Sequence, residues 1–540
     1  MQLSPINKIL SDKRTTVFIL LLAAGARILQ LLFYLDSFFD TTFQVIATRN
    51  LAEGNGISTA IVSPGDLSAT LYQPLINWPP GYSLLLAPFY IASGHDYLVA
   101  CYILDALAAL SIILLTRKIL FLLDISLPVV NLFTLMNGFF IYYFFFTGST
   151  DSIAIAFFLG AVYLILAAIK TNQRWTARAV LAGFCLLLSA SLKYLFFPVV
   201  FTLPVFLFLF AYQNVSAAAR KAALVSMLIV AIGISALYLY QQNISGTGAY
   251  ISAGGRGFFP EHLLKAHPFI PSAFITPNTV GKIAGDAKMQ VMNAFRVIHV
   301  LLFTVLLISA TYFFFRSGLK KASLPKTFFF LAFSLAVSIS LVLAVLSLVV
   351  DKELIPPDRW WTYVEDARYY GLADILVHLS IFVLFYHYRN QAKGLFKYSI
   401  LILPFLLLPE AFRGLGFTAK RMTGIGKEEY YWKQEQGFQR YAASLVRQQQ
   451  DSLRVKKVIV TGSLYYANYR ASLYQHAPVL EDPGVLQDPG SLKTKEPVIL
   501  LAMISEKSLS AFQNFINYPG TKLAGQYNRF YFYTLYVTPD

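Results

Sequence analysis

The sequence has few charged residues and almost no cysteine for its length. Asp, Glu, Lys and Arg make up 13% of its 540 residues, and the two cysteines are Cys101 and Cys185. Both cysteines lie inside apolar runs without the partner spacing of a metal site, which excludes a disulfide framework. Hydrophobic residues make up 56% and the mean hydropathy is +0.57. This composition excludes a soluble globular protein.

Acidic residues are scarcer than basic ones. The chain has 28 Asp and Glu against 44 Lys and Arg, a net charge of +16. A positive charge of this size can indicate a nucleic-acid partner. Here, however, many basic residues lie in short gaps between long apolar runs, where they set the orientation of a membrane protein. We therefore expect the lipid bilayer as a partner and no nucleic acid.

Long apolar runs recur from residue 17 to residue 411. Each approaches the roughly 20 residues that a helix needs to cross a hydrocarbon core of about 30 Å, and backbone in lipid must be helical. We read the first run as a retained membrane helix, since it lacks a cleavage site. The sequence predicts a mainly α membrane protein of about eleven helices, at 17–35, 97–116, 129–147, 151–169, 179–193, 195–212, 222–240, 297–315, 327–350, 369–388 and 397–411. The count between 97 and 240 stays open.

The basic gaps predict a cytoplasmic N-terminus. An odd number of helices then places the C-terminal region outside. Three long segments also fall outside: 36–96, 241–296 and 351–367. The first contains five acidic residues and one basic residue, Arg49. Loops of this length are usually functional or disordered.

The composition changes again near Lys420. A polar helix is predicted at 428–450, strands at 456–461, 497–503 and 530–537, and a helix at 505–516. We expect a small α/β domain over 420–540, outside the membrane, after a polytopic membrane domain over 1–415.

The most informative run begins at Asp40, just after the first membrane helix. Apolar residues recur at helical spacing until Gly54 and Gly56, which end a helix. This pattern predicts an amphipathic helix on the outer membrane surface with Asp40 at its start. For an isolated aspartate at that place, a helix cap is the more common role. The following segment, 72–82, is rich in prolines and aromatics, which suits either a sugar-binding surface or an interfacial belt.

The order of these elements resembles the first outer loop of the C superfamily of membrane glycosyltransferases (GT-C), specifically the branch of protein mannosyltransferases and lipid A aminoarabinose transferases. The resemblance spans about 60 residues and continues less sharply to about residue 215. The matching residues are Asp40, Arg49-Asn50-Leu51, Gly54, Gly56, Pro79-Pro80-Gly81-Tyr82 and Gly94-His95.

The resemblance implies that a sugar leaves a polyprenyl phosphate while an acceptor hydroxyl attacks the anomeric carbon from the opposite face. Such a reaction needs a carboxylate base near the acceptor and cations near the phosphate. Asp40 matches the acid of the family loop and takes the role of base. Many relatives have two adjacent acids, whereas residue 39 is Phe. This difference weakens the case for a second carboxylate or a bound metal, so a divalent cation is left open and no metal ligands are predicted.

Further site residues are predicted outside the start of this loop. Trp78, Tyr82 and His95 are expected to form a surface for the sugar or the acceptor. Asp151, at the outer end of a membrane helix, is either a second site carboxylate or a cap. The list of predicted phosphate or donor ligands is Lys193, Arg368 and Tyr369. The alternative for Lys193 is snorkelling to the interface, and the alternative for Arg368 is an ion pair with Glu365.

The rival class is a transporter or lipid flippase. Transporters often have internal repeats and substrate groups near the midplane, whereas here several predicted helices are nearly free of charge and the acids gather outside. The sequence does not identify the sugar or the acceptor, which is a protein, lipid A, another glycolipid or a cell-wall polymer. The resemblance to this family favours a bacterial inner membrane as the location of the protein, with the C-terminal domain periplasmic or extracellular.

Overall fold

A computed structural model describes residues 9–33, 39–76, 78–140, 148, 150–245, 258–260, 262, 273–349, 367–423, 431–463 and 465–539. The helices, numbered in chain order, are α1 Lys13–Phe33, α2 Phe39–Ala52, α3 Gly81–Ala92, α4 Tyr97–Leu122, α5 Leu127–Asn137, α6 Thr150–Thr171, α7 Trp175–Leu192, α8 Phe196–Val199, α9 Thr202–Gln213, α10 Ala217–Ser245, α11 Pro277–Ala284, α12 Lys288–Ser317, α13 Leu324–Val349, α14 Ala367–Tyr388, α15 Gly394–Ile402, α16 Leu408–Thr423, α17 Tyr431–Leu453, α18 Tyr465–Gln475 and α19 Gln513–Ile516. The strands are β1 Ser58–Ser63, β2 Asp66–Pro74, β3 Lys457–Gly462, β4 Val498–Ser505, β5 Thr521–Tyr527 and β6 Phe530–Val537.

The mainly α membrane fold is confirmed. Within the described ranges, ten helical segments are long and apolar enough to cross a membrane. The predicted pair at 179–193 and 195–212 corresponds to separate segments, Trp175–Leu192 and Phe196–Gln213. The predicted span at 129–147 corresponds to the shorter apolar helix α5, and residues 141–147 lie outside the described residues.

The chain divides into two compact units. The helical unit consists of residues 1–34 and 102–423, and the sheet unit of residues 35–101 and 424–540. In the helical unit, α7 packs against α6 and α10. Gly233 faces Leu187, whose side chain would lie 2.4 Å from an added Cβ. A side chain at position 233 would therefore displace the end of the Leu187 side chain, and small residues are common where membrane helices pack closely.

The sheet unit contains a four-stranded sheet in the order β3-β4-β6-β5. The β3–β4 pair is parallel and the other two pairs are antiparallel. The predicted strands at 456–461, 497–503 and 530–537 are thus confirmed as β3, β4 and β6. The segment predicted as one helix at 505–516 is a 3₁₀ helix at Glu506–Phe512 followed by the single turn α19.

The first outer loop forms an antiparallel hairpin, β1–β2, which joins the C-terminal part of the sheet unit. The Val62 N–H donates to the Val479 carbonyl, and the Val479 N–H donates to the Ala60 carbonyl, each at 3.0 Å. Val62 and Leu67 belong to the same apolar core as strand β4. Lys457 Nζ also donates to the Ser68 carbonyl at 2.6 Å. These contacts fix the loop against a region almost 400 residues later in the chain.

Helix α2 is the helix predicted after Asp40. It ends at Ala52, and Gly54 follows with φ of 86°, a conformation that glycine adopts readily. Residues 41–50 are all buried, so α2 lies inside the sheet unit and its polar residues bond within it. Asn50, for example, donates to the Ser58 carbonyl at 2.8 Å.

Candidate functional site

Two of the predicted site residues form an ion pair in the helical unit. Asp151 lies in the first turn of α6 and Lys193 directly follows α7. Lys193 Nζ donates to the Asp151 carboxylate, and the side chains are 14% and 6% exposed, respectively. Asp151 is therefore more than a helix cap, because it neutralises a lysine that is largely removed from water.

Two further predicted residues, in the first turn of α14, complete this group. Lys193 Nζ lies 4.2 Å from the ring centroid of Tyr369. The Arg368 guanidinium carbon lies 4.8 Å from the same ring, and its Nη2 donates to the Tyr369 hydroxyl at 3.0 Å. Arg368 and Tyr369 are 7% and 8% exposed. We call Asp151, Lys193, Arg368 and Tyr369 the Lys193 cluster.

The four residues of the Lys193 cluster combine two cations on one aromatic ring with the Asp151 carboxylate, so these four side chains together carry a net positive charge. Cations near an aromatic face are stabilised by its quadrupole. An ammonium has three N–H donors and a guanidinium has five. Each can therefore bind an anion while keeping a bond to protein. Glu365, the alternative partner of Arg368, lies outside the described residues.

A further buried acid near the start of α6 is Asp105, which is not among the residues predicted from the sequence. The Asp105 carboxylate accepts from the Gly148 N–H, three residues before Asp151. Asp105 is 2% exposed and sits within α4. An acidic residue in a long apolar run is the signal that could have identified it, because buried acids in membrane helices are rare and usually functional or paired.

The proposed base, Asp40, is the second residue of α2. Its side chain lies outside the described residues. One turn further along α2, the Phe43 ring stacks on Trp78 with centroids 4.8 Å apart and planes 19° apart. Tyr469 of α18 lies against the same ring at 4.4 Å. Trp78 is therefore half-buried within an aromatic stack that ties the first loop to the C-terminal region.

Tyr82 does not lie on an open surface, in contrast to its predicted place on the surface for the sugar or the acceptor. Tyr82 is fully buried, and its hydroxyl bonds the Cys101 thiol at 3.4 Å. Its neighbour Ser83 donates to Gln44 Oε1 at 2.9 Å. The Pro79-Pro80-Gly81-Tyr82 segment thus serves to pack α3 against α2, and Tyr82 has no open face for a ligand.

His95, the third residue predicted for that surface, is exposed. It follows α3 with a positive φ of 68°, and its ring centroid lies 5.1 Å from that of Tyr90. Among the residues that the structure describes, no group of three or more His, Cys, Asp or Glu side chains could hold a metal ion.

No protein-family pattern matches the sequence, and no curated protein is significantly similar to it. Solved structures align with the chain in three dimensions. The chain aligns with the oligosaccharyltransferase of Archaeoglobus fulgidus, tethered with an acceptor peptide, at 12% identity and a TM-score of 0.49, over 92% of this chain and 70% of that one. It aligns with ArnT from Cupriavidus metallidurans, bound to undecaprenyl phosphate, at 12% identity and a TM-score of 0.45, over 96% and 97% of the two chains.

Proposed function

We propose that this polytopic membrane protein is an inverting glycosyltransferase that transfers a sugar from a polyprenyl-phosphate donor to an acceptor hydroxyl on the extracytoplasmic face. The observation that carries the proposal is the Lys193 cluster, in which residues from α6, the end of α7 and the start of α14 meet. The order of motifs in the first outer loop supports the same reaction, because it resembles that of GT-C enzymes.

In this proposal the cluster binds the phosphate of the donor. Breaking the bond between the anomeric carbon and the phosphate oxygen leaves its electron pair on polyprenyl phosphate, which gains one negative charge. Cations already in place stabilise that charge without reorganising. Arg368 offers two parallel N–H groups to phosphate oxygens, and Lys193 offers a point charge.

Asp40 is the proposed base. It accepts the proton of the acceptor hydroxyl as that oxygen bonds to the anomeric carbon, so the sugar is inverted in a single displacement. The position of Asp40 at the start of α2 is set by a helix that is buried along residues 41–50. A base held on a buried helix is well positioned, because the packing around it limits its movement.

The test is an assay of purified protein with a panel of labelled polyprenyl-phosphate hexoses and pentoses, followed for release of polyprenyl phosphate. We expect one member of the panel to be consumed by the wild-type protein. Lys193→Met should raise the donor KM or abolish turnover, whereas Lys118→Met should behave as wild type. Lys118 is a matched control because it also lies over a tyrosine ring, that of Tyr163 at 5.7 Å. Equal donor kinetics in both variants would contradict the proposed role of Lys193.

A further inference from the structure

A cavity of about 390 Å³ lies within the sheet unit, where α2, α3 and α18 meet the start of α4. Its basic residues are Arg49, His95 and His476, and Tyr90 adds a phenol. The residues that line the cavity belong to the sheet unit, whereas the Lys193 cluster belongs to the helical unit.

Arg49 is the central group of this cavity. It is 4% exposed, and its Nη1 donates to the Ser472 carbonyl at 3.3 Å. Among the described residues, the bond to Ser472 is the one hydrogen bond of the Arg49 guanidinium. None of the ion pairs between described residues includes Arg49. Burial lowers the pKa of Arg49, with Glu53 acting in the opposite direction. A buried arginine without an ion-pair partner is costly, and an anionic ligand in the cavity would supply that partner.

Both histidines have a positive backbone φ, which residues other than glycine seldom adopt. His95 has φ of 68° after α3, and His476 has φ of 52° after α18. Histidine is one of the residues enriched at positive φ, but glycine is the usual choice at a helix end. Both histidines line the same cavity.

The charges around the cavity favour an anion most when the histidines are protonated. The charged groups near His476 are Arg49, His95 and Glu53, and Asp96 also lines the cavity. Glu53 is exposed and screened by water. The Asp96 carboxylate accepts from the Leu98 and Val99 N–H groups at 2.9 and 3.1 Å, which stabilise its charge.

We propose that this cavity binds a phosphate group through Arg49, His95 and His476, and that the phosphate belongs to a lipid head group. Arginine and two imidazoles together match the tetrahedral oxygens of a phosphate. The lipid source follows from Tyr97 and Leu98, which line the cavity and begin α4. Because α4 is long and apolar enough to cross a membrane, a cavity at its first residues suits a ligand that has both a phosphate and an apolar part. The proposal goes beyond the proposed glycosyl transfer and does not require it.

The test is a titration of the full-length protein in detergent with sulfate, in which the NMR signals of the histidine side chains are followed. Sulfate is a suitable probe because its charge is constant between about pH 5.5 and 8. We expect the signals of His95 and His476 to shift, and Arg49→Gln to weaken binding by about tenfold or more through loss of a charged donor. Arg529→Gln, which changes an exposed arginine of the same unit, should bind as wild type. Lys193→Met should leave this response unchanged, which separates the cavity from the proposed donor site.

Two further measurements keep the proposal falsifiable. Asparagine also tolerates a positive φ, so the His476→Asn variant should fold. Its affinity for sulfate should increase much less at low pH than the affinity of the wild type does. Dihexanoyl phosphatidic acid and glycerol 3-phosphate carry the same phosphate monoester. The lipid should bind at least about tenfold more tightly, since its chains add apolar contact. No histidine response to sulfate, or equal affinity in the wild type and Arg49→Gln, would overturn the phosphate site. Equal affinity for the two monoesters would overturn the lipid source.

Discussion

The ion pair between Asp151 and Lys193 allows binding and folding roles to be separated by a double-mutant cycle. Removing one partner of a buried pair leaves the other charge desolvated, at a cost of about 3–5 kcal/mol. The Lys193 side chain is 14% exposed and the Asp151 side chain 6%, so we expect the lower end, about 3 kcal/mol, for Lys193→Met or Asp151→Asn alone. The double variant removes both charges and should regain most of this stability.

Turnover should behave differently from stability in this cycle. If Lys193 binds the donor phosphate, the double variant regains its melting temperature but not its activity. Loss of one charged group that stabilises the leaving group is expected to lower kcat by about 10²–10³-fold. The measurements are the melting temperature in detergent and the rate of donor cleavage for the wild type, both single variants and the double variant. Recovery of activity together with stability in the double variant would show that the pair is structural and would refute the phosphate role.

Three other outcomes are expected. Asp40→Asn should fold and insert as wild type but lose about 10²–10⁴-fold in turnover, so full activity in a folded variant would exclude the base role. Tyr369→Phe removes the hydroxyl that accepts from Arg368 and should raise the donor KM with little change in melting temperature; unchanged kinetics would show that the bond does not position Arg368. Burial, Arg49 and His95 lower the pKa of His476 from its ordinary value of 6.5, so the unfolded chain takes up more protons there and stability should fall as the pH drops below about 6.5. This loss should be smaller in His476→Asn, and an equal acid sensitivity of the two proteins would contradict the assignment.

Features carried by local periodicity could be predicted from the sequence. The membrane segments follow from apolar length alone. The strand predicted at 530–537 is observed as β6, although four consecutive residues of it are buried and burial does not alternate along it. Gly54 ends α2 as expected because a helix stop depends on a few neighbouring residues. In the Lys193 cluster, the residue types were predictable because a lysine among apolar residues is costly without a partner.

Features carried by contacts distant in sequence could not be predicted in this way. The hairpin β1–β2 has weak alternation, and its place in the sheet unit depends on Val479, more than 400 residues after Val62. Aromatic residues near prolines suit sugar binding and so predict a surface position for Tyr82, but packing of α3 buries this side chain. His476 has no motif around it, and its relation to Arg49 exists only after α2 and α18 come together.

The central claim is that the Lys193 cluster holds the phosphate of a polyprenyl lipid, and the direct measurement is the affinity of the purified protein for polyprenyl phosphate. Arg368→Gln and Arg389→Gln form a matched pair, since each arginine lies 4.8 Å from an aromatic ring but at opposite ends of α14. We expect Arg368→Gln to weaken binding of polyprenyl phosphate by about tenfold or more and Arg389→Gln to bind as the wild type does. Equal affinity in the wild type and a folded Arg368→Gln variant would contradict it.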